Sequence, residues 1–506
     1  MMKKGSLVIF SLLAIIVAVF GVYSFLDASR HKNEFSSVDP EDMGVKEWLE
    51  DFGCLYDFIE ANYPYIELKE RTHGYNWLDL RGLFEERIKN ATDNEEFLQV
   101  IMEAVEALQN RHTQVVEPDE VVEYHARFNE SPVMSAVFND EVSEAAEYWS
   151  DIYDAIVDRK YLTSFEVRIV YDRGDYILTD YFGRPEGSRV TKVDGIPIDD
   201  AVQACFDKDY LDWDFVREKL YLWRVAPDDF GGDAVFTIMD SDGEEADVTF
   251  HTTRSHTSFS QLYPRSTLVF ERYEEAGVGY MYVRTFQPSA LEHRYNEILD
   301  FLREIEGYGH LIIDIRGNTG GSFITWVNGI VRPLLMEDTL HEYYLAYRTG
   351  EYVQDFHGEW LNEREEIPKE WFDYLPPEVY GEDFKVYNSS QTYASTHEVD
   401  FDGEIILLVD NVVYSAAEGF TNFCKQTGFA TIYGTASGGD GFFIWPLYYT
   451  LPNSKLVITT SSSMSLDRTG HANEEVRTQP DVHYESPFMN HDELNDFILE
   501  EILNST

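Results

Sequence analysis

Basic residues are what this 506-residue chain has least of relative to their opposites: 39 Lys and Arg stand against 93 Asp and Glu, a formal charge of −54. A field of that sign repels phosphate backbones, so no nucleic-acid partner is expected, and strongly anionic substrates are disfavoured. Most of the excess reads as a solvated acidic surface. Cysteine is scarce as well. Cys54, Cys205 and Cys424 are odd in number and far apart, which argues against a disulfide framework and leaves open one disulfide or three buried thiols. No HExxH occurs, and HTTRSH (251–256) does not set two imidazoles on one helix face, so neither metal nor cofactor is expected. Gly-x-Ser-x-Gly is missing too, which weighs against an α/β-hydrolase. Internal repeats and low-complexity segments are absent.

What the chain does have is apolar and aromatic bulk. Hydrophobic residues make up 44%, with 33 Tyr and 33 Phe, which suits packed cores and apolar clefts; the length predicts two or three domains. The opening MMKKGSLVIFSLLAIIVAVFGVYSFLDASR carries two lysines and then an uncharged run from Gly5 to Leu26, long enough to span a bilayer as a helix. Residues 1–30 are expected to be an uncleaved signal anchor, with a cleaved signal peptide as the alternative. The acidic bulk would then lie outside the cytoplasm, on a single-pass protein of the cell membrane. Residues 31–158 place apolar side chains at helical spacing, and Asp93, Glu95 and Glu96 mark an acidic helix start; a helical domain is expected. Residues 159–258 read as short strands and turns. Within them GRPEGSRVTKVDGIPIDDAVQACF resembles a segment of PDZ domains, modules that bind peptide termini by strand addition. From 259 to 506 strands and helices alternate, which predicts an α/β sheet with crossovers, while 335–400 shows little regular pattern.

Two stretches of this last part can carry chemistry. In EIILLVDNVVYSAAEGF a buried strand runs towards a helix, and Ser415 stands at the junction. It is either a nucleophile on a strand-to-helix turn or half of a Ser-x-x-Glu capping box with Glu418. In LIIDIRGNTGGSF (311–323) a strand ends in a glycine-rich turn before a helix. Its spacing is neither a dinucleotide fingerprint nor a P-loop, and it is either a tight turn or a cradle of backbone N–H groups.

The order VGYMYVRTF, LIIDIRGNTGG, LLVDNVVYSAAEGF, ATIYGTASGGDG, NEEVRTQPDV resembles the C-terminal processing (tail-specific) peptidases and their tricorn-like relatives. The resemblance implies an α/β catalytic domain of crotonase-like ββα units, behind an N-terminal helical domain and a β-rich PDZ-like module. It implies a serine endopeptidase working on polypeptides through an acyl-enzyme, with Ser415 as nucleophile. The backbone N–H of Ala416, with that of Gly320 or Gly321, would form the oxyanion hole. The processing branch takes its base from a lysine in the turn that here reads GTASGGDG; Asp440 holds that place and no lysine lies in 426–454. Lys425 sits roughly 15 Å along the following helix and is not placed to reach back. The tricorn-like branch and the related retinoid-binding repeats carry a histidine in the helical part and a glutamate before a late Pro-Asp. Here these are His112 and Glu474, with Glu475 as the next choice, so a Ser415–His112–Glu474 triad is expected. His471 is a rival base. Asp440 reads first as a turn residue, and otherwise as a partner of a water or of the serine. A binding protein without chemistry on the same fold and a small-substrate serine esterase are the alternatives; oligomeric state is left open.

Overall fold

The computed structural model describes residues 39–161, 168–179, 185–251, 266–441, 446–487, 490 and 492–505. The expected anchor at 1–30 lies outside the described residues. Among those described, no helix is long and apolar enough to cross a membrane. Cys54, Cys205 and Cys424 are free thiols.

Helices open the chain. α1 (Val45–Asn62) buries Trp48, Phe52, Leu55 and Ile59 at steps of three and four residues, the spacing that puts them on one face. α2 (Ile66–His73) follows at once and ends on Gly74 in the left-handed conformation. α3 (Asn94–Glu106) starts one residue after Asp93, whose carboxylate accepts the Glu96 N–H and caps it. These helices do not close a core of their own. Their apolar faces pack with Tyr347, Val386, Leu447, Ile458 and Met464, so the helical region shares one core with the C-terminal half. The short strand Gln114–Val115 seals the join by pairing antiparallel with Val457–Thr460.

Within 168–179 and 185–250 seven strands form an antiparallel sheet with the short helix Ile198–Gln203 against it. The larger α/β unit is a six-stranded sheet: β1 (Leu268–Tyr273), β2 (Val278–Val283), β3 (His310–Asp314), β4 (Glu404–Val409), β5 (Thr431–Gly434) and β6 (Val482–His483), in that spatial order. β1 runs antiparallel to β2 and every later neighbour is parallel. Successive side chains of a strand point to opposite faces, so a parallel strand covered on both sides reads as a continuous apolar run. That is the case here. Leu311, Ile313, Leu407 and Val409 face the helices α4 (Tyr295–Glu304) and α5 (Ala416–Thr427), while Ile312, Ile406 and Leu408 face the C-terminal helix Asp492–Ser505. Three layers result.

The stretch 335–400 is more regular than its sequence suggests. Tyr343–Arg348 pairs with Phe384–Asn388 on one side and with Met464–Asp467 on the other, and Glu351–Asn362 is a helix. Its strands pair across intervening segments of some tens of residues, Thr339–His341 with Gln391–Tyr393 and Tyr343–Arg348 with Phe384–Asn388, and not in tight hairpins. Leu407, fully buried at the centre of the sheet, tests the layering: Leu407→Ala is expected to lower unfolding free energy by about 2–5 kcal/mol, read as a shifted denaturant midpoint.

Candidate active site

The parallel sheet delivers the serine. β4 ends at Val409, and Asp410 then folds the chain into a turn by accepting the N–H groups of Val412 and Gly317 through one carboxylate oxygen. Ser415 follows at φ 56°, ψ −125°, immediately before α5. A non-glycine residue there stores roughly 1–3 kcal/mol of backbone strain. The side chain makes no capping hydrogen bond. Its Oγ lies instead 3.0 Å from His112 Nε2. Glu418, the other half of the supposed capping box, is fully buried and accepts hydrogen bonds from Asn473 Nδ2 and Thr478 Oγ1, tying α5 to the chain beyond the glycine-rich turn. Burial raises its pKa.

His112 arrives from the helical region on a tight loop after α3. Gln109 takes a positive φ, and Asn110 Oδ1 accepts the His112 N–H and the Thr113 hydroxyl. The imidazole is thereby fixed between two partners: Nε2 faces Ser415, and Nδ1 lies 2.9 Å from Asp440 Oδ2. Asp440 is completely buried. Its Oδ2 also accepts from Ser461 Oγ at 2.8 Å and Asn110 Nδ2 at 3.0 Å, and its Oδ1 from the Tyr65 hydroxyl at 2.8 Å. Burial works to raise its pKa, but the hydrogen bond and charge of His112, with the Asn110 and Tyr65 bonds, hold it well below the usual carboxylate range. The depressed value means that its stabilisation is present at neutral pH and is lost only as pH falls through that low value. An ionised carboxylate can only accept. Nδ1 of His112 therefore carries a proton, and in the neutral ring the Nε2 lone pair then faces Ser415 Oγ–H.

Glu474 does not meet the histidine. Its Oε1 lies 2.6 Å from Lys69 Nζ and its Oε2 3.6 Å from Arg477 Nη1. Glu475 points outwards and pairs with Arg71 at 3.1 Å. His471 stacks on Tyr374 and contacts Thr469, while Lys425 is tied to Asp481 at the far end of α5. Asp440, read first as a turn residue, is thus the carboxylate that the fold brings to His112. A clue was present, since an acid among four glycines occupied the place of another branch's lysine. Nothing in the sequence marked Tyr65, Asn110 or Ser461 as its partners.

The expected donor groups are close at hand. Ala416 occupies the first position of α5, where a backbone N–H has no partner inside the helix. Gly320 N–H is engaged by Asn318 Oδ1 at 2.9 Å. Gly321 bridges Phe286 through flanking bonds, Phe286 N–H to Gly320 O and Ser322 N–H to Phe286 O, so its own N–H turns the other way. Gly320 sits against Ser415: a Cβ added there would lie 2.8 Å from Ser415 Cβ and 3.0 Å from Ala416 N.

Residues 277–484 match the model of Peptidase family S41. No curated protein matches the chain in sequence. Among solved structures, that of mature CPAF is similar at 13% identity, covering 91% of this chain and 98% of that one with a TM-score of 0.54. Mature CPAF complexed with lactacystin is similar at 14% identity, covering 91% and 99%, with a TM-score of 0.52. At such identities the shared feature is the fold.

The close approach of Gly320 is testable. Gly320→Ala is expected to retain the far-UV circular dichroism of the parent and to slow fluorophosphonate labelling of Ser415 on the order of 100-fold, because a small misplacement of a reacting atom has that effect. An unchanged rate would show that Gly320 does not position the serine.

Proposed function

We propose that this chain, a serine peptidase of family S41, cleaves polypeptides through an acyl-enzyme on Ser415, with His112 as general base and Asp440 as the acid that orients it. One observation carries the reading: Ser415 Oγ, His112 Nε2 and Nδ1, and Asp440 Oδ2 form a line with separations of 3.0 and 2.9 Å. Those distances suit proton transfer without rearrangement. Ser415 Oγ attacks the scissile carbonyl while Nε2 takes its proton, and the imidazolium formed is stabilised by Asp440. The same proton goes to the leaving amine, and water then releases the acyl group by the reverse sequence. The N–H groups of Ala416 and Gly321 are the best-placed donors for the tetrahedral oxyanion, since that of Gly320 is already engaged.

This differs from the Ser–His–Glu constellation of the tricorn-like branch in the identity of the acid. The intact line supports a working catalyst over a binding-only protein on the same scaffold. The β-rich module at 168–250 is read as PDZ-like, a docking surface for polypeptide. The apolar run at 5–26 supports an anchored protein of the cell membrane with its catalytic part outside the cytoplasm.

Fluorophosphonate labelling and polypeptide hydrolysis test the assignment. Ser415→Ala should abolish both. His112→Ala should reduce turnover by at least 10³-fold, and Asp440→Asn by roughly 10³–10⁴-fold, as expected when the orienting acid of a triad is lost. Glu474→Gln should stay within about tenfold of the parent at its own optimum pH. Equal losses in Glu474→Gln and Asp440→Asn would sink the choice of acid, and faster turnover of short acyl esters than of unfolded polypeptide would sink the choice of substrate.

A further inference from the structure

Glu474 is the anion of an ion pair buried directly behind the catalytic acid. Lys69, on α2, is 5% exposed, and its Nζ stands 2.6 Å from Glu474 Oε1. Glu474 Oε2 accepts no hydrogen bond among the described residues and has Arg477 Nη1 at 3.6 Å. A single amide separates this pair from the triad. Asn110 Nδ2 lies 3.0 Å from Asp440 Oδ2 and 3.5 Å from Glu474 Oε1. Two carboxylates therefore share one side-chain donor, and the loop that holds Asn110 also holds His112.

The other titratable groups facing the pair come from every element packed on it. Tyr63 and Tyr65 approach from the start of α2 and Tyr414 from the nucleophile turn, and burial pushes all three phenols far up, so they stand neutral. His73, one turn beyond Lys69, is pushed well down by burial and is neutral too. Arg111, beside Arg477, is matched by Asp212 at 2.8 Å. Burial draws the Lys69 ammonium below its usual range, while the charge of Glu474 acts to restore it. Glu474, Lys69 and Arg477 thus form a charge cluster beside Asp440 and His112, in which Lys69 makes the closest contact with Glu474.

We propose that Lys69 is a positioning residue for the catalysis assigned above, its ammonium cancelling Glu474 so that His112 responds to the charge of Asp440 alone. The proposal rests on the Ser415–His112–Asp440 reading. A second carboxylate left with only Arg477 at 3.6 Å would favour the protonated imidazole, which cannot accept the serine proton. Removing one member of a buried pair exposes the charge of the other, whereas removing both leaves the balance intact.

The test is the rate of Ser415 labelling by a fluorophosphonate across pH, measured on the full chain. In Lys69→Met the acidic limb of the profile moves to higher pH, on the order of one unit, because an unmatched anion favours the imidazolium. In Glu474→Gln it moves the opposite way, because an unmatched cation disfavours it. Lys69→Arg keeps the parent limb. Lys69→Met combined with Glu474→Gln returns it to the parent position, an outcome that a merely structural role for Lys69 would not produce. Unmoved limbs in both single variants, or a double variant that fails to return, overturn the proposal. The double variant keeps the pair uncharged and similar in volume, so the comparison survives if Lys69→Met alone does not fold. Asp440→Asn separates the two ideas: a collapse of labelling there with limbs unmoved elsewhere defeats only the role of Lys69, while retained labelling defeats the triad reading itself.

Discussion

A carboxylate taken out of water has to be repaid in hydrogen bonds, and the burial of Asp440 is the constraint on which the rest of this molecule turns. Removing such a group from solvent costs several kcal/mol unless its lone pairs are filled. Here they are filled by Tyr65 at the start of α2, Asn110 and His112 on the loop after α3, and Ser461 beyond the strand Val457–Thr460. These donors come from both ends of the chain. Satisfying one carboxylate therefore docks the helical region against the α/β unit, and the same contacts set the direction of the imidazole. Stability and the geometry around Ser415 and His112 are two readings of a single cluster.

The scarcity of basic residues gives this arrangement a second side. With 39 cations against 93 anions, cations on the surface would have partners everywhere and specify little. Several are instead spent inside. Lys69 is matched to Glu474, Arg316 to Asp314, and Arg348 spans Glu67, Asp383 and the carbonyl of Tyr63. Each of these joins segments or fixes a strand end, and the desolvated ones are costly to break. The acidic exterior and the matched interior follow different rules.

What could be read beforehand was local. The apolar run of β4, the glycine-rich turn after β3 and the serine before α5 are continuous in sequence, and each found its expected place. His112 stood out only through the resemblance to the tricorn-like peptidases, which carry a histidine in the helical part; its place after an amphipathic helix did not mark it by itself. The acid did not, because an aspartate among glycines has turn formation as its commonest use, and the donors that mark Asp440 are separated from it by up to 375 positions. Glu474 had the right spacing from a Pro-Asp, yet spacing along a chain carries no information about Lys69, which claims it from α2. The capping-box reading of Ser415 failed because its Oγ faces His112 and makes no cap, a contact that no local pattern of residue types reveals. The strands within 335–400 were hidden for a related reason, since they pair across helices and loops and not through short hairpin turns.

The antiparallel contact between Gln114–Val115 and Val457–Thr460 has one more consequence, and it concerns biosynthesis. The loop bearing His112 emerges early, while the serine, the acid and the strand that receives that loop are made near the end. No partial chain can unite them. Whatever these groups do together, they meet only after Ser461 has been made and the helical region has docked on the α/β unit.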